Sequence, residues 1–264
     1  MRIEVVSHCY AVKCPLFANA LQYQISSLFL HQPRTCHVTL NVFYDPQDVK
    51  TMEVIMWGLK YKFERVKELP RVTLMASSLE AGKLGRRCIG RNIAAKQSMA
   101  DLVWFTDCDH VFAEGAFDRL AAMPWPVEDD PMEGRGAPLG SIVVASMVYP
   151  KQIMISRDHA TGDMEAAEAE PNKLVTIDPT LYEPKKYNRA IGGVQIVQGD
   201  FARQHGYLDG DTKWQQPTET PFGDFRDDVA YRKFASQFGP ILGVDFPGVF
   251  RIRHSSTTYQ EDKR

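Results

Sequence analysis

The chain has few cysteines, and they form no metal or redox motif. The five are Cys9, Cys14, Cys36, Cys88 and Cys108. Their number is odd and none form a CxxC pair, which argues against a disulfide scaffold or a zinc ribbon. The start, Met1–Val6, contains an acid and leads into a strand-like run, which is not typical of a signal peptide. We therefore expect a reduced, cytoplasmic protein.

Long apolar runs and an excess of one charge are also missing. The longest apolar stretch, near Ser141–Val148, is far shorter than the roughly 20 residues that a membrane-spanning helix needs. Thirty-one Lys and Arg against 33 Asp and Glu leave a net charge of −2, so bulk electrostatics does not indicate nucleic-acid binding. We predict no membrane span, and a local basic patch keeps nucleic acid open as a partner.

Apolar and aromatic residues are plentiful enough for a folded domain. The chain has 264 residues, of which 44% are hydrophobic and 11% aromatic. This composition excludes a disordered chain, and the length allows a large core without disulfides. We predict one large α/β domain rather than two small ones.

Strand-like and helix-like segments alternate in the first half of the chain. Strands are predicted at Ile3–Ser7, Val38–Tyr44, Phe63–Leu69 and Leu102–Thr106, and helices at Leu16–Leu30, Val49–Lys60 and Ile89–Ala100. Strands separated by helices imply crossover connections and a mainly parallel sheet. After Phe112 we predict an irregular insertion, a strand at Ser141–Val148 and a solvated acidic loop at Asp163–Glu170.

Two acids follow the apolar strand Leu102–Thr106. In an extended backbone alternate side chains share a face, so we expect Asp107 and Asp109 to point together and Cys108 to point away. Ligands of open α/β sheets bind beyond the carboxyl ends of the strands. Two carboxylates at that edge suit Mg²⁺ or Mn²⁺ shared with substrate phosphates. A solvated turn is the alternative interpretation of so short a motif.

A basic segment precedes this strand. Lys83–Lys96 contains five bases and no acid. Arginine offers a fork of donors to a diphosphate, so the segment is a candidate phosphate contact. We interpret Lys83 and Lys96 as residues of a solvated helix face. For Arg91 and Asn92, a phosphate contact and a solvated helix face both stay open.

The segment Gly90–Ala95, followed by Ala100–Asp109, resembles the core of GT-A glycosyltransferases, in particular family 2. In that family an Arg-Asn-x-Ala helix precedes a strand that ends in a DxD motif. The resemblance implies a GT-A, Rossmann-like mixed sheet flanked by helices. It also implies a single domain over 1–264, with a nucleotide-sugar-binding half over 1–112 and an acceptor-side half over 113–264.

The same resemblance implies roles for individual residues. Arg91, Asn92 and Asp107 would contact a nucleotide diphosphate sugar, with a UDP-sugar as the favoured donor. Asp107 and Asp109 would hold Mn²⁺ or Mg²⁺. Some GT-A enzymes use a late histidine as a third metal ligand, and His254, at the end of a predicted strand, is similarly placed. A histidine at the end of an inward strand face is equally well explained as a core residue.

A glycine pair extends the resemblance. Ile191–Val197 is similar to the glycine pair and strand that line the family's donor-sugar pocket, which implies donor contacts at Gly192 and Gly193. A missing Cβ lets a ligand approach the backbone closely. An ordinary turn before a strand is the alternative.

Gly223–Tyr231 resembles the family's acidic pair at the head of a helix. Asp228 aligns with the family's catalytic Asp and is the implied general base, while Asp227 stands where Glu is usual. Without the resemblance, both acids would be interpreted as complementing the helix dipole. Asp45, at the end of the second strand, is the closest match to the family's nucleoside contact, although Pro46–Asp48 replaces the usual Asp-Gly-Ser run.

These assignments imply a metal-dependent glycosyltransferase that moves a sugar to an acceptor hydroxyl, with inversion if Asp228 is the base. A retaining GT-A enzyme, a metal-dependent nucleotidyltransferase and a non-catalytic carbohydrate- or nucleic-acid-binding module are the alternatives. The acceptor is left open among a glycan, a protein, a small molecule and a hydroxymethylated DNA base.

Overall fold

Two β-sheets and the helices packed against them form the fold. The structure is a computed structural model that describes residues 1–12, 14–123, 152–155, 159–163, 169–185, 193–217, 226–238, 241–244 and 248–253. The strands of this part of the chain are β1 (Arg2–Cys9), β2 (His37–Tyr44), β3 (Val72–Ser78), β4 (Leu102–Phe105), β5 (His110–Phe112), β6 (Gln152–Ile155), β7 (His159–Asp163), β8 (Glu183–Lys185), β9 (Gln195–Gln198), β10 (Ile241–Val244) and β11 (Val249–Arg253). The α-helices are α1 (Leu16–Leu30), α2 (Val49–Glu64), α3 (Ala81–Leu84), α4 (Arg87–Gln97), α5 (Ala116–Ala121), α6 (Gly199–His205), α7 (Thr212–Gln215) and α8 (Asp227–Ala235), and Pro179–Leu181 forms a 3₁₀ turn.

Among the described residues, the larger sheet has seven strands in the order β10-β6-β9-β4-β1-β2-β3, and the smaller has four in the order β5-β11-β7-β8. Strands β4, β1, β2 and β3 are parallel, whereas β9 runs antiparallel to β4 and β6. The chain moves outward from β1 to β3 and then returns to the other side of β1 to form β4. The strand order therefore reverses between β1 and β4, which is the switch point where open α/β sheets bind ligands.

Alternation along the central strands separates two hydrophobic layers. Leu102 and Trp104 of β4 pack in the layer that contains α1 and α2. Val103 and Phe105 pack in the layer that contains α4, α6 and α8. Each face of the sheet is therefore covered, as the sequence pattern predicts for a parallel sheet.

Several predicted elements are confirmed, and one is wrong. The helix Leu16–Leu30 has the predicted bounds, and the predicted first, second and fourth strands are β1, β2 and β4. The strand predicted at Phe63–Leu69 does not form, because α2 continues to Glu64 and a turn follows it. The third strand of the sheet is instead β3, which begins after Pro70.

Other predictions concern residues outside the described ranges. They are the insertion and strand between 124 and 150, most of the acidic loop, Gly192 and His254. All five cysteines are described, and each is a free thiol. Within the described ranges no helix combines the length and the apolar character needed to cross a membrane.

Candidate active site

The candidate site lies beyond the carboxyl ends of β1 and β4. Asp107 lies two residues after the end of β4. The chain then turns back, and the amide of His110 donates to the carbonyl of Asp107 at 3.3 Å. The segment from Asp107 to Asp109 is therefore a turn, not the extended strand end that the sequence predicted. Its two carboxylates contact different groups.

Asp107 belongs to a cluster of four charged side chains, Arg87, Arg91, Asp107 and Asp227, which we call the ion-pair cluster. Arg87 donates to Oδ1 of Asp107 at 2.7 Å and to Oδ1 of Asp227 at 2.8 Å. Arg91 donates to the same Asp107 oxygen at 3.1 Å, and its other terminal nitrogen lies 3.5 Å from Oδ2 of Asp227. Two guanidiniums thus balance two carboxylates.

The ion-pair cluster is buried, which strengthens its electrostatics. The side chain of Arg91 is 0% exposed, and those of Asp227 and Arg87 are 5% and 13% exposed. Burial alone would favour protonated acids, but the charges of Arg87 and Arg91 outweigh it and lower the pKa of Asp107 to about 2. The same arginines lower the pKa of Asp227 against the effect of its burial. All four groups are therefore charged at neutral pH.

Helix α4 brings the two arginines to the same acids. Arg87 and Arg91 are four residues apart and lie on one helix face. Gly90 sits between them, and a Cβ there would come 2.3 Å from Nε2 of His8 on β1. The glycine therefore allows α4 to approach the sheet closely enough for both guanidiniums to reach the end of β4.

A buried polar chain connects the cluster to Asp228. Arg91 donates to the hydroxyl of Tyr207 at 2.9 Å, and that hydroxyl donates to the side-chain oxygen of Gln195 at 3.0 Å. The amide nitrogen of Gln195 then donates to the backbone carbonyl of Asp228 at 2.9 Å. The first turn of α8 is therefore fixed by Asp227 on one side and by Gln195 on the other.

Asp228 differs from Asp227 although the two are adjacent. Asp228 is half-buried, and no arginine hydrogen bond to its carboxylate is found in the described residues. Burial, followed by repulsion from the charge of Asp227, raises the pKa of Asp228 above its ordinary value. Of the two acids, Asp228 is thus the more basic and the more accessible.

Asp109 has other contacts. Its carboxylate lies 2.8 Å from Nδ1 of His110 and accepts from Nε of Arg251 at 3.2 Å, and its backbone carbonyl accepts from the amide of Ile252 at 2.8 Å. The side chain of Asp109 is only 5% exposed. Asp109 therefore joins the turn after β4 to β11 of the smaller sheet.

The side chains around Asp107 and Asp109 do not fit the predicted metal within the described residues. Asp107 and Asp109 are both engaged by arginine, and the described residues contain no group of three or more His, Cys, Asp or Glu side chains placed to hold an ion. In this part of the chain the two carboxylates form ion pairs and do not make a metal-ligand set. The assignment of Mn²⁺ or Mg²⁺ to Asp107, Asp109 and His254 stays a prediction.

Three predicted donor contacts have intramolecular roles in the structure. Asn92 accepts from the amide of Tyr207 at 2.9 Å and donates to Asp209 at 3.1 Å. Asp45, after β2, accepts from the amide of Gln47 at 3.0 Å and so closes a turn. A Cβ on Gly193 would lie 2.2 Å from the ring of His110, so this ring fills the space beside the glycine. Their roles as donor contacts stay predictions.

Two residues of the site were not singled out from the sequence. Arg87 bridges the two acids, and its spacing of four from Arg91 is the signal that could have identified it. Gln24 of α1 donates to the carbonyl of Asp107 at 3.0 Å and so holds the turn after β4. A polar residue inside an apolar helix pattern was its only sequence signal.

Comparisons with known proteins concern the fold of the chain. No protein-family model matches the chain, and no curated protein matches it. The structure of S. aureus TarS 1-349 in complex with UDP superposes with a TM-score of 0.51 at 11% sequence identity, covering 98% of this chain and 63% of that one. The structure of S. aureus TarS gives a TM-score of 0.50 at 13% identity, covering 98% of this chain and 38% of that one.

The chain thus spans less than two thirds of the length of the TarS chains it resembles. TarS is a GT-A-type glycosyltransferase. At such low identity the likeness concerns the fold, and the sheet order with its switch point between β1 and β4 agrees with it. The chain therefore has the fold of the GT-A glycosyltransferases.

Proposed function

We propose that this protein is a glycosyltransferase that moves a sugar from a nucleoside diphosphate sugar to an acceptor hydroxyl. The observation that carries the proposal is the ion-pair cluster, which joins the end of β4 to the head of α8 at the switch point of a GT-A fold. UDP-sugars are the first donors to test, because the TarS structure that resembles this chain contains UDP. We also propose a single domain over 1–264 and a cytoplasmic location.

Asp228 is the proposed general base. Its raised pKa brings its proton affinity closer to that needed at neutral pH, and its partial exposure leaves it accessible to an acceptor. It would take the proton of the acceptor hydroxyl while that oxygen attacks the anomeric carbon, with inversion. Asp227 is a positioning residue, because its carboxylate is bound by both arginines.

Arg87 is the proposed contact for the departing diphosphate. Its side chain is 13% exposed whereas that of Arg91 is fully buried, so Arg87 is the arginine that a ligand can reach. A fixed guanidinium at this place would stabilise negative charge that develops on the leaving group. A divalent ion would supply the same kind of stabilisation when bound.

The test incubates the protein with a panel of nucleotide sugars and acceptors, with Mn²⁺, with Mg²⁺ and with EDTA, and measures free nucleoside diphosphate. We expect release with one donor, and a loss of about 10²–10⁴-fold for Asp228→Asn. Asp200→Asn is the matched control, because Asp200 is also an acid in the first turn of a helix, α6. Its activity should equal that of the wild type.

The same assay discriminates the alternatives. Release of pyrophosphate instead of a nucleoside diphosphate would identify a nucleotidyltransferase and overturn the proposal. Retention of anomeric configuration in the product, measured by NMR, would remove Asp228 as base. Absence of turnover with every donor, together with binding of glycan or nucleic acid, would indicate a binding module.

A further inference from the structure

Helix α2 carries an apolar stripe on its solvent side. Val49, Met56 and Phe63, which are seven residues apart, are 56%, 59% and 83% exposed. Met52 and Leu59 lie half-buried between them. These five residues, which we call the α2 stripe, occupy the a and d positions of a heptad repeat.

Most of the α2 stripe is not needed for the packing of α2 on its own chain: Leu59 also packs against the core cluster, whereas Val49, Met56 and Phe63 are exposed. The opposite side of the helix is buried through Thr51, Ile55 and Gly58, and Ile55 belongs to the core layer beneath the sheet. A surface helix usually presents polar residues to water on its outer side. Contiguous exposed apolar side chains instead mark an interaction surface.

We propose that α2 pairs antiparallel with α2 of a second copy of this chain, forming a two-fold symmetric dimer. A heptad stripe fits the matching stripe of another helix, because its a and d side chains insert between those of the partner. With Met56 opposite Leu59 of the second copy, Met52 lies opposite Phe63. Val49 then lies near the turn after α2 of the second copy, where Val66 is 57% exposed. Every layer of this register is apolar.

Charge complementarity selects the antiparallel direction. Glu53 and Lys60 occupy successive e positions beside the stripe, and the antiparallel register places Glu53 next to Lys60 of the second copy. Two-fold symmetry forms this ion pair twice. A parallel pairing would instead set Glu53 and Lys60 against Asp48 and Ile55, which are both 2% exposed. The second copy is therefore the occupant that the surface fits best.

The dimer is expected to be weak. One helix and its flanks bury less surface than the roughly 1,600 Å² of a standard interface, which is typical of transient association. Lys60 also lies 3.9 Å from Glu64 of its own chain, but both side chains are exposed, so exchanging that contact for one across the dimer has little cost. Dimerisation should therefore depend on protein concentration.

Sedimentation velocity over a range of concentrations tests the proposal on the full chain. We expect a monomer–dimer equilibrium for the wild type. Glu53→Lys and Lys60→Glu each place like charges side by side and should raise the dimer dissociation constant about tenfold. The double variant restores opposite charges and should return the constant to the wild-type value. Met56→Glu should abolish the dimer.

Met99→Glu is the matched control, because Met99 is 70% exposed but lies outside α2. It should dimerise as the wild type does, and circular dichroism checks that each variant is folded. A wild-type chain that stays monomeric at every concentration would overturn the proposal. So would a dimer that Met56→Glu leaves intact, or a double variant that associates no better than the single ones.

Discussion

Arg87 holds together two acids from distant parts of the chain. A charge taken out of water is expensive, and its attraction to a counter-charge compensates only when the geometry is good. Arg87 meets this condition with two contacts below 3 Å, and its neighbour Arg91 shares both acids. Removing one arginine would leave two carboxylates with a single guanidinium in a largely buried cluster.

We predict that Arg87→Gln lowers the free energy of unfolding by about 3 kcal/mol, because a buried ion pair loses one partner. Activity should fall as well, since the head of α8 loses its link to Asp107. Urea denaturation and the nucleoside diphosphate assay measure the two effects.

Lys83→Gln is the control for this variant. Lys83 pairs with Glu80 at 3.6 Å on the exposed surface, where such a pair contributes at most about 1 kcal/mol. Arg87→Lys keeps the charge but lacks the fork that reaches both acids, so it should recover only part of the loss. Equal stability of Arg87→Gln and Lys83→Gln would contradict the prediction.

The sequence could indicate the acids of the site but not their partners. Asp107 stands out because it follows an apolar strand, whereas Asp228, in the first turn of a helix, is singled out only by the resemblance to the GT-A family. The pairing of Arg87 with Asp227 joins segments far apart along the chain, so no local spacing encodes it. The turn from Asp107 to His110 was missed because strand alternation was extended past Phe105, where β4 ends.

At the scale of the element, α1 shows how polar residues are used inside a helix that is covered on two sides. Its inner side packs under the larger sheet, while Tyr23 packs with Val111 and Ile252 of the smaller sheet. The side-chain amide of Gln22 donates to the carbonyls of Glu170 and Lys173 at 2.7 and 2.8 Å. Helix α1 therefore anchors the segment 170–175, which packs across it.

We predict that Gln22→Leu loosens this segment without unfolding the protein. The amide of Val175 donates to Ser26 of α1 at 3.2 Å, so its hydrogen exchange reports on the attachment. That exchange should accelerate, while global stability falls by about 1–2 kcal/mol for two lost hydrogen bonds.

Gln32→Leu is the matched control. Gln32 follows the C-terminal end of α1, and its side-chain amide donates to the carbonyl of Glu68, far from the segment 170–175. It should leave the Val175 amide unchanged. Unaltered exchange in Gln22→Leu would mean that the apolar contacts alone hold the segment.

Helices and strands in which apolar residues recur at regular spacing were predictable from the sequence, whereas elements at the edge of the fold were not. Helix α1 and strands β1 and β2 lie inside the fold, so their apolar residues recur without interruption. The mistaken strand at Phe63–Leu69 arose because Phe63 and Val66 are apolar yet exposed, being 83% and 57% accessible. Strand β3, at the edge of the sheet, has few buried residues and gave a weaker pattern.

At the scale of the whole molecule, buried ionisable groups should make stability depend on pH. His8 is 1% exposed, and burial, then the charges of Arg91 and Arg87, lowers its pKa well below its ordinary value. The folded chain therefore keeps His8 neutral, whereas the unfolded chain protonates it below about pH 6.5. The unfolded state then binds more protons, so stability is lost as the pH falls below that value.

We predict that the free energy of unfolding falls between pH 6.5 and 5 with a slope approaching about 1.4 kcal/mol per pH unit, the limit for one proton. His8→Leu should remove most of this slope, although it also changes the packing against Phe43. The remainder comes from His37, whose pKa is also lowered by burial. A second fall should begin below about pH 3.8, because the unfolded chain then protonates this aspartate while the folded chain, in which Asp107 has a pKa of about 2, keeps it ionised. Urea titrations at a series of pH values measure both, and an unchanged slope in His8→Leu would exclude His8 as the cause.

The long sequence separation between Asp227 and the arginines it neutralises also affects the order in which the ion-pair cluster can form. A nascent chain that is synthesised beyond Asp107 but not yet as far as Asp227 contains both arginines of the ion-pair cluster and only one of its two acids. The α4 side of the sheet cannot close over such an imbalance without enclosing excess positive charge. Closure of this side of the sheet is therefore expected to depend on α8, the element that supplies the second acid.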